Sequence, residues 1–248
     1  MLLYVFILGL LIGSFLNVCI YRIPKGKTVV TEHSHCMRCG KRIRWFDLVP
    51  VISYLLLQGK CRMCKCKISV RYPVIEVLNA LVYVMLYRVY DIGILFLGLG
   101  FLASTLIVVS FIDVDHKYIP NRIVMLLLGV GVLYNILNKE MTVFDSIVGF
   151  FSASVPLLIL AMASKGGMGG GDIKLMAVVG IFLGWQFTVL ALIIAACSGS
   201  VVGIGLMLFK KVNRKEPICF GPFLSVGIGI VMIYGQEILA WYRGVVGI

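Results

Sequence analysis

The sequence predicts an all-α membrane protein that crosses the bilayer several times. Of its 248 residues, 60% are hydrophobic and 14% are charged, and the mean hydropathy is +1.03. Soluble domains carry about 25% charged residues. A helix needs about 20 mostly apolar residues to span a membrane, and continuous apolar runs recur along the whole chain. A transmembrane barrel would instead show short segments of alternating polarity.

About eight apolar runs are predicted as transmembrane helices. The first has no basic residue before it and no small-residue cleavage site after it, so we interpret it as a retained helix rather than a signal peptide. Only Gly184, Trp185 and Gln186 separate the sixth run from the seventh, and the sixth is short for a full crossing. The predicted spans are residues 2–20, 74–90, 93–112, 120–137, 145–163, 173–184, 187–209 and 221–242.

The basic residues predict the orientation of the chain. Twenty of the 23 Lys and Arg residues fall in four alternate loops, twelve of them in residues 21–73. The positive-inside rule places these loops in the cytosol and both termini outside. Topology and attraction to anionic lipid headgroups account for the net charge of +12, so we expect membrane lipid as a partner and no nucleic acid. The predicted regions are a first transmembrane helix (1–21), a cytosolic cysteine-rich loop (22–72) and a membrane-embedded bundle (73–248).

Four cysteines in the long basic loop have the spacing of a structural zinc site. Cys36 and Cys39 form one pair, and Cys61 and Cys64 form a second pair after 21 intervening residues. Two such knuckles can present four thiolates tetrahedrally to one zinc ion, which leaves no open position for catalysis. A cytosolic location keeps thiols reduced, which favours a metal over disulfides.

Several alternatives remain open for these thiols. Cys66 offers a different pairing with Cys64, His33 and His35 lie near enough to replace a ligand, and the thiols can also be free or redox-active. The remaining cysteines are isolated and are interpreted as small packing residues. They are Cys19, Cys197 and Cys219.

An apolar segment at 45–57 separates the two cysteine pairs. Asp47 and Pro50 interrupt it, and it is too short to cross a membrane. We expect it to lie along the membrane interface or against the bundle, where it either guides a hydrophobic substrate or simply packs.

Two of the eleven acidic residues are candidates for catalysis. Asp113 closes the apolar run before Pro120, and Asp172 follows a glycine-rich stretch and opens the next run. Both are predicted at the cytosolic membrane surface, where an ionisable group is costly unless it is paired or hydrated. Two neighbouring carboxyl groups can share one proton, so that one acts as acid while the other activates water. The alternatives are a helix N-cap for Asp172, an interfacial charge for Asp113, and a catalytic or supporting role for Asp115.

Five motifs, in the same order, resemble those of bacterial type IV prepilin peptidases. They are residues 13–24 (GSFLNVCIYRIP), the two cysteine pairs, residues 71–76 (RYPVIE), and the motifs around Asp113 and Asp172. The resemblance extends over essentially the whole chain, and the compact form is similar to competence-type enzymes of Gram-positive bacteria. It assigns the catalytic aspartates to Asp113, six residues before Ile119-Pro120, and to Asp172, in a Gly-x-Gly-Asp motif.

The resemblance also implies a substrate, cofactors and a location. Members cleave the leader of prepilins or pseudopilins at the cytosolic face of the bacterial cell membrane, and many then methylate the new amino terminus with S-adenosylmethionine. Zinc is associated with the paired cysteines. Met37 stands where many relatives carry proline, and Glu76 either serves the methylation or pairs with an arginine, which we favour.

Two other functions are compatible with parts of the sequence. One is a proton-coupled transporter in which Asp113 and Asp172 relay protons, although the chain shows no convincing internal repeat. The other is a non-catalytic assembly factor that binds pilin through the cysteine loop. The order of the motifs favours the peptidase over both.

Overall fold

The computed structural model describes residues 1–30, 32–138, 141–164, 169–209 and 219–246. These residues form helices and turns, with two isolated β-bridges and no strand among them, so the predicted all-α membrane fold is confirmed. Part of the glycine stretch before Asp172 and most of the basic loop at 210–219 lie outside the described residues.

Eight α-helices follow one another along the described chain. Short 3-10 helices also occur at Ile23–Lys25 and Trp45–Leu48. The α-helices are α1 (Leu2–Arg22), α2 (Ile52–Leu56), α3 (Arg71–Tyr90), α4 (Ile94–His116), α5 (Asn121–Leu137), α6 (Val143–Ala163), α7 (Gly170–Leu208) and α8 (Gly221–Val246).

Within the described residues, six helices are long and apolar enough to cross a membrane, namely α1, α3, α4, α6, α7 and α8, and α5 is a shorter apolar helix. The two predicted spans at 173–184 and 187–209 are the two parts of α7. Gly184 separates them with non-helical backbone angles (φ 74°, ψ 174°) that glycine adopts without a steric penalty. The part before Gly184 remains short for a full crossing, so the count of eight stays a prediction.

The chain divides into two compact units, Met1–Asp91 and Ile92–Ile248. In the first unit, α1 packs against α3 through small residues. A Cβ atom added to Gly9 would lie 2.5 Å from the Cα of Ala80, and one added to Gly13 would lie 2.7 Å from the Cα of Glu76. Such close helix contact is typical of membrane proteins, where packing and hydrogen bonds replace the hydrophobic driving force.

Two asparagines fasten the same helix pair with hydrogen bonds. The side chain of Asn79 donates to the carbonyl of Gly9 at 2.7 Å, and Asn17 donates to the carbonyl of Tyr72 at 3.1 Å. Both asparagines are buried. These bonds fix how α1 and α3 align, and so which residues of the two helices face the cysteine-rich loop.

In the second unit, the backbones of α6 and α7 approach each other at Gly149 and Gly180. A Cβ atom added to Gly180 would lie 2.0 Å from the carbonyl oxygen of Gly149, and one added to Gly149 would lie 2.3 Å from that of Gly180. On α8, Gly227 makes a similar approach to the backbone of α7 at Ala191. Glycines therefore set the spacing of the helices that carry the second unit.

Because Gly180 has no room for a side chain, Gly180→Ala should force α6 and α7 apart and lower stability by roughly 1–3 kcal/mol. Gly129→Ala is the matched control, because it is the same change inside α5 and an added Cβ meets nothing within 4 Å. The measurement is the thermal unfolding midpoint of each purified variant in detergent. Equal midpoints for the two variants would contradict this account of the packing.

Candidate functional site

The four predicted cysteines come together in the loop between α1 and α3. The Sγ atoms of Cys36, Cys39, Cys61 and Cys64 all lie within 4.8 Å of one another. The set is all sulfur, contains four ligands, and comes from two separate turns, which is the donor arrangement of a structural zinc site. These thiols could therefore hold one zinc ion.

The two cysteine pairs occupy turns of the same geometry. In the first, the N–H of Gly40 bonds to the carbonyl of Cys36 at 2.9 Å; in the second, the N–H of Lys65 bonds to the carbonyl of Cys61 at 2.9 Å. Gly40 and Lys65 both have positive φ, at 68° and 59°. Although Met37 stands where many relatives carry proline, the first turn has the same hydrogen bond and the same positive φ as the second.

Main-chain N–H groups lower the pKa of two of these thiols. The N–H of Cys39, followed by that of Arg38, lowers the pKa of Cys36 to about 6. The N–H of Cys66 lowers the pKa of Cys64. The thiolate is the form that binds a metal, so the turns prepare both sulfurs for ligation.

Cys66 is a fifth thiol beside the cluster. Its sulfur lies 3.2 Å from that of Cys64 and 3.6 Å from that of Cys36. The hydrogen bond with Cys64, followed by burial, raises the pKa of Cys66, which favours its protonated form. The cluster of four contains no histidine, and the ring of His35 instead faces the carbonyl of His33 at 3.3 Å.

A buried arginine at the end of α1 organises the start of the same loop. Arg22 is 4% exposed, and its guanidinium donates to the carbonyls of Thr28, Glu32 and His33 at 3.2, 2.9 and 3.2 Å. A planar guanidinium can hold several carbonyls at once. Arg22 therefore stabilises the conformation of the segment that leads from α1 to the first cysteine pair.

The segment between the cysteine pairs is attached to the second pair by an ion pair. Both carboxylate oxygens of Asp47 accept hydrogen bonds from Arg62, at 2.7 to 3.1 Å. The hydrogen bonds from Arg62 lower the pKa of Asp47. The apolar side chains of Trp45 and Leu56 remain exposed, at 81% and 78%.

Glu76, on α3, joins the middle of that segment to the helix pair. Its Oε2 atom accepts a hydrogen bond of 2.8 Å from the N–H of Val51, and the hydroxyl of Ser14 lies near the same carboxyl group. Val51 has φ 60° and ψ −51°, and the N–H of Ile52 bonds to the carbonyl of Pro50, which together define a classic γ-turn. This turn is strained for a β-branched residue, and strain of this kind is concentrated at functional sites.

A cavity of about 1100 Å³ lies between α1, the start of α3 and the cysteine-rich loop. Most of its lining surface is apolar, and its charged lining residues are eight Lys and Arg side chains together with Asp47 and Glu76.

Asp113 lies in the last turn of α4 and is buried, at 6% exposed. Its Oδ2 atom accepts a hydrogen bond of 3.0 Å from the N–H of Gly221, the first residue of α8. A Cβ atom on Gly221 would lie 2.8 Å from that same oxygen. A glycine is therefore needed where the helix end meets the carboxylate.

Cys219, two residues earlier, also contacts Asp113. Its thiol donates to the main-chain carbonyl of Asp113 at 3.3 Å. Burial, followed by the charge of Asp113, raises the pKa of Cys219, which keeps this thiol protonated as a donor. Sequence reasoning treated Cys219 as a packing residue and gave Gly221 no role; the Gly-Pro pair at the start of the last apolar run was the available signal.

Asp172 lies in the first turn of α7 and is 8% exposed. The helix N-cap is Gly169, so the interpretation of Asp172 as the capping residue is wrong. A Cβ atom added to Gly171 would lie 2.9 Å from the Cβ of Ile119, so the two aspartate motifs pack directly against each other.

The carboxyl groups of Asp113 and Asp172 are close enough to interact electrostatically. The thiol of Cys219 interacts with both of them. Lys174, two residues after Asp172, also donates a hydrogen bond of 3.1 Å to the side-chain oxygen of Asn121, two residues after Ile119. This bond is a second link between the two aspartate motifs. Asp115, in contrast, is exposed. Two buried carboxyl groups in one site can divide the roles of acid and base.

Comparison with known proteins places both units. Residues 7–90 match the Bacterial Peptidase A24 N-terminal domain, and residues 100–204 match the Type IV leader peptidase family. The boundary between the two matches falls at the boundary between the two structural units.

Three similar proteins share the name prepilin leader peptidase/N-methyltransferase. The one from Pseudomonas putida is 36% identical, over 94% of this chain and 91% of the relative. The one from Aeromonas salmonicida is 33% identical, over 96% and 92%, and the one from Bacillus subtilis is 30% identical, over 98% of both. No solved structure matches the chain. With both units matched and relatives of at least 30% identity over nearly the whole length, the chain belongs to the type IV leader peptidase family.

Proposed function

We propose that this protein cleaves the leader peptide from type IV prepilins or pseudopilins and then methylates the new amino-terminal residue. The observation that supports the peptidase assignment is that two buried carboxyl groups, Asp113 and Asp172, from distant parts of the chain lie close enough to interact electrostatically. The family membership and the name shared by the relatives support both reactions.

The carboxyl pair supplies both proton transfers of peptide hydrolysis. One carboxylate takes a proton from water, and the resulting hydroxide adds to the scissile carbonyl carbon. The other carboxyl group gives its proton to the peptide nitrogen as the C–N bond breaks, so that a carboxyl group and a free amine result. The pair titrates as a unit, because the two groups interact.

The N–H of Gly221 keeps the carboxylate of Asp113 in one orientation. Because Oδ2 accepts this hydrogen bond, the other oxygen, Oδ1, is the one available to water or substrate. A fixed orientation matters, since a small misplacement of a catalytic group can cost a hundredfold in rate.

The site is assigned to the cytosolic face of the bacterial cell membrane. The basic loops support this orientation through the positive-inside rule. The resemblance to prepilin peptidases implies substrates with a basic leader. The loop between α1 and α3 is itself basic, so charge attraction is a poor way to bind such a leader. The substrate is instead recognised by insertion of its hydrophobic segment among the helices, within membrane lipid. Nucleic acid is not a partner in this proposal.

The first unit is assigned to the methylation. Its cavity is large enough for a nucleoside cofactor and has a buried carboxylate, Glu76, in its lining. When bound there, S-adenosylmethionine supplies its sulfonium methyl group to the amine freed by cleavage. The cysteine cluster, holding structural zinc, forms part of the wall of this cavity through Cys36 and Cys61.

Replacing either Asp113 or Asp172 with Asn should lower leader cleavage at least about a thousandfold, because each change removes one of the two proton transfers. Asp115→Asn is the matched control and should keep cleavage within about threefold, since Asp115 is exposed. Mass spectrometry of a prepilin's amino terminus after incubation with each purified variant reports cleavage and methylation together. Normal cleavage by either of the first two variants would rule out the carboxyl pair.

Gly221→Ala should lower kcat by roughly ten- to a hundredfold with little change in KM, because the added Cβ displaces the carboxylate of Asp113. Gly229→Ala, in the same helix with nothing within 4 Å of the new Cβ, should behave as wild type. Steady-state kinetics on a leader-bearing peptide distinguish the two. A Gly221→Ala enzyme with unchanged kcat would show that this contact has no part in cleavage.

The purified protein should contain about one zinc ion per chain, and Cys36→Ser or Cys61→Ser should remove most of it. Cys197→Ser serves as the control, because this cysteine is exposed and outside the cluster. Elemental analysis by mass spectrometry measures the metal directly. Zinc retained in full by both cluster variants would point instead to a different ligand set, such as one that includes Cys66.

A further inference from the structure

We propose that Cys66 is an alternative zinc ligand, which exchanges with Cys64 for one of the four coordination positions of the metal site. This inference rests on the zinc site proposed for the cysteine cluster and adds a fifth thiol to it. All five thiols belong to the single compact unit Met1–Asp91.

The distances among three sulfur atoms support the exchange. In a tetrahedral site with zinc–sulfur bonds of about 2.3 Å, two neighbouring sulfurs lie about 3.8 Å apart. The Sγ atom of Cys36 lies 3.8 Å from that of Cys64 and 3.6 Å from that of Cys66. Cys36 can therefore share one zinc ion with either of the other two thiols.

Cys64 and Cys66 lie too close together to fill two positions of the same ion. Their Sγ atoms are 3.2 Å apart, which is shorter than the separation of two ligands on one tetrahedral zinc. The cluster of four is complete with Cys64, and the sulfur of Cys66 lies beside that same position. The two thiols therefore compete for one position.

The geometry of the two cysteine turns explains why only the second turn has a spare thiol. The N–H of Cys61 bonds to the carbonyl of Cys66 at 2.8 Å, and the N–H of Cys36 bonds to the carbonyl of Lys41 at 2.9 Å. Cys66 and Lys41 thus occupy equivalent positions, five residues after the first cysteine of each pair. A lysine ammonium has no acceptor lone pair. The first turn therefore has no substitute for Cys39.

The exchange leaves the number of zinc–sulfur bonds, protons and electrons unchanged. The thiol of Cys66 gives its proton to water as its sulfur binds zinc. The bond from zinc to Cys64 breaks, and the released Cys64 thiolate takes up a proton from water. Cys64 is exposed whereas Cys61 is buried, so the exchange takes place on the solvent side of the site.

The experiment measures the zinc affinity of full-length variants in detergent by competition with a chromogenic chelator, in the presence of a phosphine reductant that prevents disulfides. Cys64→Ser and Cys66→Ser should each bind about one zinc ion per chain and lose less than about tenfold in affinity, because the remaining thiol completes the site. The double variant Cys64→Ser/Cys66→Ser should lose at least about a hundredfold.

Cys39→Ser is the matched control, because it removes the equivalent ligand of the first turn, where Lys41 stands in the position of Cys66. This single change should weaken zinc binding at least about a hundredfold.

The outcomes separate this inference from the proposed zinc site. If wild type binds zinc but Cys64→Ser weakens binding as much as Cys39→Ser does, the exchange is overturned and the four-cysteine site stands. Zinc binding by the double variant with wild-type affinity would also overturn the exchange, since neither thiol would then be needed. If wild type binds no zinc, the zinc site itself fails.

A second measurement uses the unmodified protein and covers the case in which Cys64→Ser does not fold. The zinc-loaded wild type is treated with a thiol-alkylating reagent and its cysteines are mapped by tandem mass spectrometry. Alkylation should be divided between Cys64 and Cys66, because either thiol is free part of the time, while Cys36 is protected by zinc. The exposed Cys197 should be alkylated fully and reports that the reagent is active. Alkylation of Cys66 with none at Cys64 would contradict the exchange.

Discussion

The contact between Gly171 and Ile119 is the constraint on which the proposed proteolytic site depends. The absence of a side chain at Gly171 lets Ile119 pack against the backbone beside Asp172. Because Ile119 closes the segment that begins at Asp113, this contact brings the end of α4 to the start of α7. A single buried carboxylate would be costly at the edge of a membrane, whereas two that share a proton, with a main-chain donor on one of them, need less compensation.

Glycines elsewhere in the second unit make that contact possible. Gly149 and Gly180 bring α6 against α7, and Gly227 brings α8 against α7. Inside lipid, helices gain little from burying apolar side chains, so close backbone packing has to provide the rigidity. The start of α8 then places the N–H of Gly221 within hydrogen-bond distance of the Asp113 carboxylate, so close that a Cβ atom at position 221 would collide with it. The same packing that stabilises the bundle thus sets the geometry of the carboxyl pair that we propose to be catalytic.

The first unit is stabilised differently from the second, because buried polar groups determine the conformation of its long loop. Arg22 donates hydrogen bonds to three carbonyls of the loop. Main-chain N–H groups of the cysteine turns favour the thiolate form of Cys36. Glu76 accepts a hydrogen bond from the N–H of Val51, whose backbone is strained. Each of these groups connects the basic loop to a membrane helix or to itself. The result is a cavity enclosed by two helices and a loop, built without a strand among the described residues.

The sequence by itself determined the all-α membrane class, the cysteine pairs and the two aspartate motifs. Apolar run length and local spacing carry that information, because a span or a knuckle is formed by residues close together in the chain. Only the tertiary structure decided that Gly221 and Cys219 contact Asp113, that Glu76 bonds to Val51, and that Gly169 caps α7. These contacts join residues up to 108 positions apart, and no local pattern reports which backbone N–H will meet which carboxylate once the helices have packed.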